Sequence, residues 1–417
     1  MKRQFVALLV LIIILSSGCS TKASKPAIFT VYCSLTHEGV VEEFKKANPN
    51  IDIAFYDPTG GDENMSEEDA LLRLRADMMA GQGPDVIITY GNEINSKLLD
   101  SGMILDLNDL IEKDPSFNFS EYNQGVLDAG IYRGKRLILP IRYVPCLMYT
   151  TQTKLQQNNI MTDFEDGLSL LEAFEAVADK GTFRIGTNRF MFERLSLTCW
   201  DEELIDYDTQ TLNLKSKTFR RTMELLRYDR EMQNLLPDIY PYQIDAYKTI
   251  VDKEYAFFHV DSLIDYQIRA QMAFQTDQDG KMILPRNNEG GLTAMVISSG
   301  LINANTKQLE LSWEFLKFAL SSDFQKSYYI GGVPVLDSAV NDRLEYHRGR
   351  FSGGRYSDEM YLQYVEAVGS VNKAYIVYQL VDWKKLYELF EPYISGELSF
   401  EETAARAENY FSIYFSE

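Results

Sequence analysis

The side chains best suited to binding chemistry in this 417-residue sequence are aromatic and polar residues, most of them at or near predicted strand ends. Aromatic rings offer flat apolar faces to a sugar ring, whereas hydroxyl, amide, carboxylate and guanidinium groups hydrogen-bond to its hydroxyls. The aromatic candidates are Tyr32, Tyr90, Tyr143 and Trp200, and the polar candidates are Ser34, Asp57, Asn92, Arg142 and Asp261. Together they predict a binding site for a small polyhydroxylated molecule.

Catalytic motifs are missing from the sequence. It contains no H-E-x-x-H, no G-x-S-x-G, no P-loop and no G-x-G-x-x-G, and the histidines His37, His259 and His347 are scattered. The acidic run from Asp201 to Glu203 could be imagined as part of a glycosidase pair, but a charge run in an acidic chain is usually a solvated face. We therefore expect a protein that is not an enzyme and that uses no metal or cofactor.

The segment from Asp69 to Tyr90 predicts the local architecture. Apolar residues recur at helical spacing from Leu71 to Met78, and Ser66 provides an N-cap. The glycines and proline of residues 81–84 end that helix, and the β-branched run Val86–Thr89 is typical of a strand buried on both faces. A helix followed by such a strand indicates an α/β fold.

Two further predicted strands make the first part of the chain a doubly wound lobe. Ile28–Ser34 and Ile51–Phe55 read as strands, with helical spacing between them from Val40 to Ala47. Ligands of doubly wound sheets bind at the carboxyl ends of the strands. Those ends are Ser34–His37, Tyr56–Thr59 and Tyr90–Asn92. A chain of this length exceeds what one core usually serves, so we expect a second lobe.

The N-terminus carries an export signal. Basic residues precede the apolar run Phe5–Leu15, which is too short to span a membrane, and Gly18-Cys19 after it resembles a bacterial lipobox. Ser16 stands where the lipobox usually has a branched aliphatic residue, and cleavage after Ala23 is the competing interpretation. We expect lipidation at Cys19.

The chain is strongly acidic, with 61 Asp and Glu against 41 Lys and Arg and a formal charge of −20. Loss of Lys2 and Arg3 with the signal makes it −22, and such a surface disfavours nucleic acid. After Cys19 the widely spaced cysteines Cys33, Cys146 and Cys199 do not indicate a disulfide framework. One disulfide between two of them is an open alternative.

Several stretches resemble bacterial extracellular solute-binding proteins of ABC importers, the maltose-binding-protein-like group. They are A-L-L-R-L-R-A-D-M-M-A-G-Q-G-P-D-V-I from Ala70, G-K-R-L-I-L-P-I-R-Y-V-P-C-L-M-Y from Gly134, L-T-A-M-V-I-S-S-G-L-I-N-A-N from Leu292, the helix Leu309–Leu320, Gln325 and G-G-V-P-V from Gly331. The resemblance implies two doubly wound α/β lobes joined by a hinge, with chain crossings near Ile141, Gly290 and Gly332.

The resemblance also implies how the chain is divided. The expected parts are a signal peptide (1–18), a tether (19–27), lobe 1 (28–142 and 290–332) and lobe 2 (143–289 and 333–417). Lobe 2 should contain helices Phe164–Lys180 and Lys217–Gln233 and a strand in Tyr255–Val260, and helices from Met360 onward should pack on it.

The function that the resemblance implies is an extracytoplasmic receptor, lipid-anchored to the cell membrane and monomeric. It would close on a mono- or oligosaccharide and deliver it to the subunits of an ABC permease. Two alternatives stay open. One is a receptor of the same fold that presents its ligand to a membrane sensor kinase, and the other is an anchored glycan hydrolase.

We predict that Cys19→Ala leaves the protein without its acyl chains, because the thiol of Cys19 is the expected attachment point. Stable anchoring needs two or more such chains. Cells grown with labelled palmitate should label the parent protein in the membrane fraction and leave the variant unlabelled. Equal labelling of both proteins would show that the export signal has been misinterpreted.

Overall fold

The buried β-branched runs form strands and the amphipathic runs form helices in a computed structural model of the chain. The structure describes residues 28–33, 38–89, 94, 96–160, 167–181, 205–206, 209, 211–233, 258–260, 280–327, 331–351, 358–376 and 383–416.

The strands are β1 (Phe29–Cys33), β2 (Ile53–Phe55), β3 (Val86–Thr89), β4 (Ile131–Tyr132), β5 (Lys135–Arg136), β6 (Leu139–Pro145), β7 (Leu147–Thr151), β8 (Ile205–Asp206), β9 (Thr211–Leu212), β10 (Phe258–Val260), β11 (Gly280–Ile283), β12 (Leu292–Ile302), β13 (Val333–Pro334) and β14 (Val371–Ile376). The α-helices are α1 (Glu38–Ala47), α2 (Glu67–Met79), α3 (Ser96–Asp100), α4 (Asn108–Lys113), α5 (Gln124–Leu127), α6 (Gln152–Asn158), α7 (Gly167–Lys180), α8 (Lys217–Gln233), α9 (Leu309–Leu320), α10 (Ser322–Gln325), α11 (Asp337–Phe351), α12 (Asp358–Gly369), α13 (Trp383–Ile394) and α14 (Phe400–Ser416).

The main sheet has the strand order β13-β6-β12-β3-β1-β2, and β14 also pairs with β12. Strands β1, β2 and β3 run parallel, as expected for a doubly wound lobe. Strand β12 is antiparallel to β3 and β6 and parallel to β14, so it joins the parallel strands to the rest of the sheet. All of its eleven residues are buried.

Several predicted elements have the expected bounds. Helices α8 and α9 coincide with the predictions, and α2 begins at its predicted cap, where the backbone N–H of Asp69 donates to Ser66 Oγ at 3.1 Å. Helix α7 is described from Gly167, and strand β10 from Phe258, so the remaining residues of those two predictions lie outside the described part of the chain.

A second group of elements includes a separate small sheet and several helices. Strand β7 lies between β10 and β11 in a three-stranded antiparallel sheet. Helix α8 packs on α13 and on the start of α14, with ring centroids of Phe219 5.0 Å from Phe390 and 6.2 Å from Phe400. This is the packing expected of lobe 2, whose bounds stay a prediction.

None of the helices that the structure describes is both long enough and apolar enough to cross a membrane.

A partly buried carboxylate holds the amino ends of β1 and β3 together. Asp85 Oδ2 accepts hydrogen bonds from the backbone N–H and the hydroxyl of Thr30 at 2.8 and 2.9 Å. Its Oδ1 accepts one from Thr306 Oγ1 at 2.5 Å, beyond the end of β12. The aspartate of the G-P-D sequence therefore connects three segments that are far apart in the chain.

We predict that Asp85→Ala lowers the free energy of unfolding by about 2 to 3 kcal/mol, because partly buried donors of Thr30 and Thr306 lose a charged acceptor. Urea titration would measure the loss. The control is Asp109→Ala, which removes a carboxylate that pairs with Lys113 on the surface and should leave stability near that of the parent. Equal effects of the two substitutions would contradict the role given to Asp85.

Candidate functional site

Four polar residues lie at neighbouring positions where the carboxyl end of the parallel strand β3 meets the crossing strands β12 and β6. Ser299 of β12 pairs with Thr89, the last residue of β3, and with Pro140 of β6. Its neighbour Ser298 pairs with Arg142 of β6. The three hydroxyl-bearing residues are buried and Arg142 is partly exposed. The predicted strand end and the predicted crossing thus lie side by side in one sheet.

The first and third crossings are held together by a buried amide that the sequence analysis did not assign to the site. Gln325 is fully buried, and its Nε2 donates to the carbonyls of Ile141 at 3.0 Å and Ala319 at 2.8 Å. Its Oε1 accepts from the backbone N–H of Leu336 at 3.3 Å. The available signal was that Gln325 is one of the residues through which the sequence resembles the solute-binding proteins.

The second crossing has a similar buried amide. Asn287 Nδ2 donates to Thr293 Oγ1 at 3.0 Å and to Asn372 Oδ1 at 2.8 Å. Its Oδ1 accepts from the backbone N–H groups of Glu289 at 3.0 Å and Gly291 at 3.2 Å. Each crossing is therefore fixed by side-chain hydrogen bonds as well as by strand pairing.

The guanidinium of Arg142 lies against the third crossing. Its Nη1 donates to the carbonyl of Gly331 at 3.3 Å, and a Cβ atom at position 331 would lie only 2.5 Å from that nitrogen. The side chain is partly exposed, and it places a cation at the junction of β6 and β13.

Tyr143 lies in the interior, with 1% of its surface exposed. Burial raises the pKa of its hydroxyl well above the usual range, and a hydrogen bond with the Asn123 side chain opposes that shift. The ring packs inside the protein and offers no face to solvent. Its role in contacting a ligand stays a prediction, whereas its packing against the crossing is observed.

Asp57 is exposed at the carboxyl end of β2, where its carboxylate organises a turn. Oδ1 accepts from the backbone N–H and hydroxyl of Thr59 at 2.8 and 2.7 Å, and Oδ2 accepts from the backbone N–H of Gly61 at 2.9 Å. The hydrogen bond from the Thr59 hydroxyl is the main cause that lowers the pKa of Asp57. Both oxygens have partners within the loop.

Tyr32 is the other described candidate, partly buried in β1 and paired with Ile87 of β3. The remaining predicted residues lie outside the described part of the chain; they are Cys19, Ser34, Tyr90, Asn92, Trp200 and Asp261. Within the described ranges, no cluster of three His, Cys, Asp or Glu side chains could hold a metal ion. Cys33 and Cys146 carry thiols, and Cys199 lies outside those ranges.

Residues 39–346 match the family model described as bacterial extracellular solute-binding protein. The chain belongs to this family. A solute-binding protein of this family acts outside the cytoplasm, and the family and its structural relatives are binding proteins rather than enzymes. A comparison with curated proteins finds no significant match.

Solved structures share the fold of this solute-binding protein over nearly its whole length. The sugar-binding protein MalE of Xanthomonas citri is 15% identical, with a TM-score of 0.62 and coverage of 92% of this chain and 96% of that chain. The substrate-binding protein Lmo0181 of Listeria monocytogenes, in complex with cycloalternan, is 14% identical, with a TM-score of 0.59 and coverage of 93% and 98%. The cyclic alpha-maltosyl-1,6-maltose binding protein of Arthrobacter globiformis is 16% identical, with a TM-score of 0.57 and coverage of 92% and 98%. The fold is therefore that of the periplasmic binding proteins.

The third crossing of the solute-binding protein requires a glycine at position 332. Gly332 has φ +77°, and a Cβ atom there would lie 2.9 Å from the carbonyl oxygen of Tyr143 and 3.0 Å from Ile297 Cδ1. Its own carbonyl accepts a hydrogen bond from Arg343 Nε at 3.1 Å. Both the backbone conformation and the close approach of β6 exclude a side chain.

We predict that Gly332→Ala lowers the free energy of unfolding by about 1 kcal/mol more than Gly134→Ala does. Gly134 has φ +76° with nothing within 4 Å of an added Cβ, so both variants carry the same backbone cost and only Gly332→Ala adds the contact with Tyr143. Urea titration of the two variants would measure the difference. Equal losses would contradict the close approach of the crossings.

Proposed function

We propose that this solute-binding protein binds a mono- or oligosaccharide between its two lobes and delivers it to an ABC permease. Membership of the solute-binding family supports a receptor for a dissolved molecule. The structural relatives support the carbohydrate class, since those named above are described as binding cycloalternan, sugar and cyclic alpha-maltosyl-1,6-maltose.

The observation that carries the proposal is the position of the partly exposed Arg142 on β6, beside Ser298 of β12 and next to the pairing of Ser299 with Thr89. A guanidinium donates hydrogen bonds of the kind that sugar hydroxyls and ring oxygens accept. It lies near the carboxyl end of the parallel strand β3, and doubly wound sheets bind ligands at the carboxyl ends of their strands. The candidate aromatic residues of the neighbouring loops would supply the apolar faces that a sugar ring stacks on.

Closure of the lobes would convert binding into a signal for the permease. A ligand that contacts both lobes gains contacts only in the closed form, and it shifts the population by its differential affinity. Reversing a ratio of 1:99 to 99:1 requires about 5.5 kcal/mol. A ligand with micromolar affinity has a binding free energy of about 8.2 kcal/mol, which exceeds the energy needed for this shift in population.

The lobe bounds, the monomeric state and the lipid anchor of the proposal are taken from the sequence analysis. The lobes are residues 28–142 with 290–332 and residues 143–289 with 333–417, and the protein is a monomer that a lipid on Cys19 holds at the membrane. We propose that it catalyses no reaction, which agrees with a family and structural relatives that are binding proteins rather than enzymes.

We predict that a thermal-shift screen of saccharides identifies a stabilising ligand, because a ligand at 100 times its dissociation constant adds about 2.7 kcal/mol of stability. With that sugar, small-angle scattering should report a smaller radius of gyration than without it, near the value of about 21 Å for a compact chain of this length. An unchanged scattering profile at saturation would contradict closure even if binding is real.

Arg142→Ala serves as the site variant in the same titration, and we expect it to raise the dissociation constant by about tenfold or more, because a hydrogen bond from a charged donor is lost. The matched control is Arg227→Ala, which removes a guanidinium that pairs with Glu231 along α8 and should leave affinity unchanged. If the two variants bind equally well, the site does not include Arg142. Absence of any saccharide that binds would overturn the carbohydrate assignment.

A further inference from the structure

The last helix, α14, connects two parts of the molecule that lie far apart in the sequence. Its inner face, which includes the buried residues Ala404, Ala407 and Phe411, packs on α13, and α13 packs on α8 of the predicted second lobe. Its final turn contacts α3, which follows strand β3 of the first lobe. The helix therefore touches elements of both predicted lobes.

The contact with α3 is part of a row of alternating cations and aromatic rings. Lys385 Nζ of α13 lies 5.5 Å from the ring centroid of Tyr410, and Lys97 Nζ of α3 lies 5.4 Å from the ring centroid of Tyr414. Between the two lysines, the rings of Tyr410 and Tyr414 are stacked, with centroids 6.4 Å apart and an interplanar angle of 17°. The tyrosines are four residues apart, which places them on one face of the helix.

Lys97 is carried by a firmly packed helix. The neighbouring residues Leu98 and Leu99 are buried in the core. Asp100 at the end of α3 accepts a hydrogen bond from Tyr132 Oη at 3.1 Å and pairs with Arg133 at 3.1 Å. A displacement of α14 relative to the first lobe must therefore change the contact between Lys97 and Tyr414, because the lysine backbone cannot follow it.

The charge of Lys97 also suits the end of α14. Tyr414 lies in the last turn of this helix, which has no basic residue of its own in that turn. A cation near the last turn interacts favourably with the partial negative charge of the helix carboxyl end. Lys97 provides that cation from another element while its ammonium group lies over the ring of Tyr414.

We propose that a strap joins the two lobes through helix α14, which belongs to the second lobe, and helix α3 of the first lobe. The strap is formed by Lys97, Tyr414, Tyr410 and Lys385. The effect of the strap on binding rests on the lobe closure of the proposed function. Helix α3 begins only a few residues after the candidate ligand residues Tyr90 and Asn92. A rotation of one lobe against the other would change the contact between Lys97 and Tyr414, so the strap would add to the energy difference between the lobe arrangements.

The strap can be tested without any ligand by a double-mutant cycle, which measures the coupling between two side chains. The variants are Lys97→Met, Tyr414→Leu and the double substitution, and the measurement is the unfolding equilibrium constant in urea. Exposed cation–π contacts are worth about 0.5 to 1 kcal/mol, so we expect a coupling of about two- to fivefold in that constant. A coupling of zero within error would overturn the proposal.

Hydrogen exchange of the peptide that contains residues 94–107, measured without ligand, provides the second readout. Tyr414→Leu should speed exchange in this peptide by about two- to fivefold, whereas Tyr414→Phe retains an aromatic face and should exchange as the parent does. The matched control is Arg220→Gln, which removes a cation 4.1 Å from the ring of Phe400 within the second lobe and should leave this peptide unchanged.

These outcomes separate the strap from the proposed function. Exchange that is unchanged in Tyr414→Leu, or that rises equally in Arg220→Gln, would show that α14 does not restrain α3. Because no sugar is added, failure of the saccharide screen does not affect either measurement, and failure of the strap leaves the binding site as described.

Discussion

The structure depends on β12, a strand buried over its whole length whose backbone groups must all find partners inside the protein. It meets this requirement by pairing with β14 in its first half and with β3 and β6 in its second half. Those neighbours come from three distant parts of the chain. One strand thereby fixes the position of the crossing segments relative to the parallel strands of the first lobe.

The proposed closure requires crossings that are firm in the sheet and still allow the lobes to rotate. Buried amides meet the first requirement. The side chain of Gln325 joins the first crossing to the third, and that of Asn287 joins the second crossing to β14. Glycines meet the second, since Gly331 and Gly332 adopt positive φ beside β6, where a side chain would collide with it. Rotation would then occur about a few backbone positions while each lobe keeps its own packing.

The chemistry of the site follows from that arrangement. Strand pairing brings Ser298 beside Arg142 and Ser299 beside Thr89, although the paired residues are separated by up to about two hundred positions in the chain. The same pairing places the ring of Tyr143 in the interior, where it supports the crossing. A receptor built this way offers hydrogen-bonding groups on a rigid sheet and takes its variable contacts from the loops at the strand ends.

The sequence by itself determined the local elements. The helical spacing and cap of α2, the bounds of α8 and α9 and the parallel strands β1 to β3 could be predicted because they depend on periodicity and on turn residues within a short stretch. It also determined the family, through runs such as the G-P-D sequence, whose aspartate joins β1 to β3. Only the tertiary structure decided which polar residues meet, that Gln325 joins two crossings and that Tyr414 reaches Lys97. These contacts join residues up to more than three hundred positions apart, and local spacing carries no information about which distant segment a side chain will face.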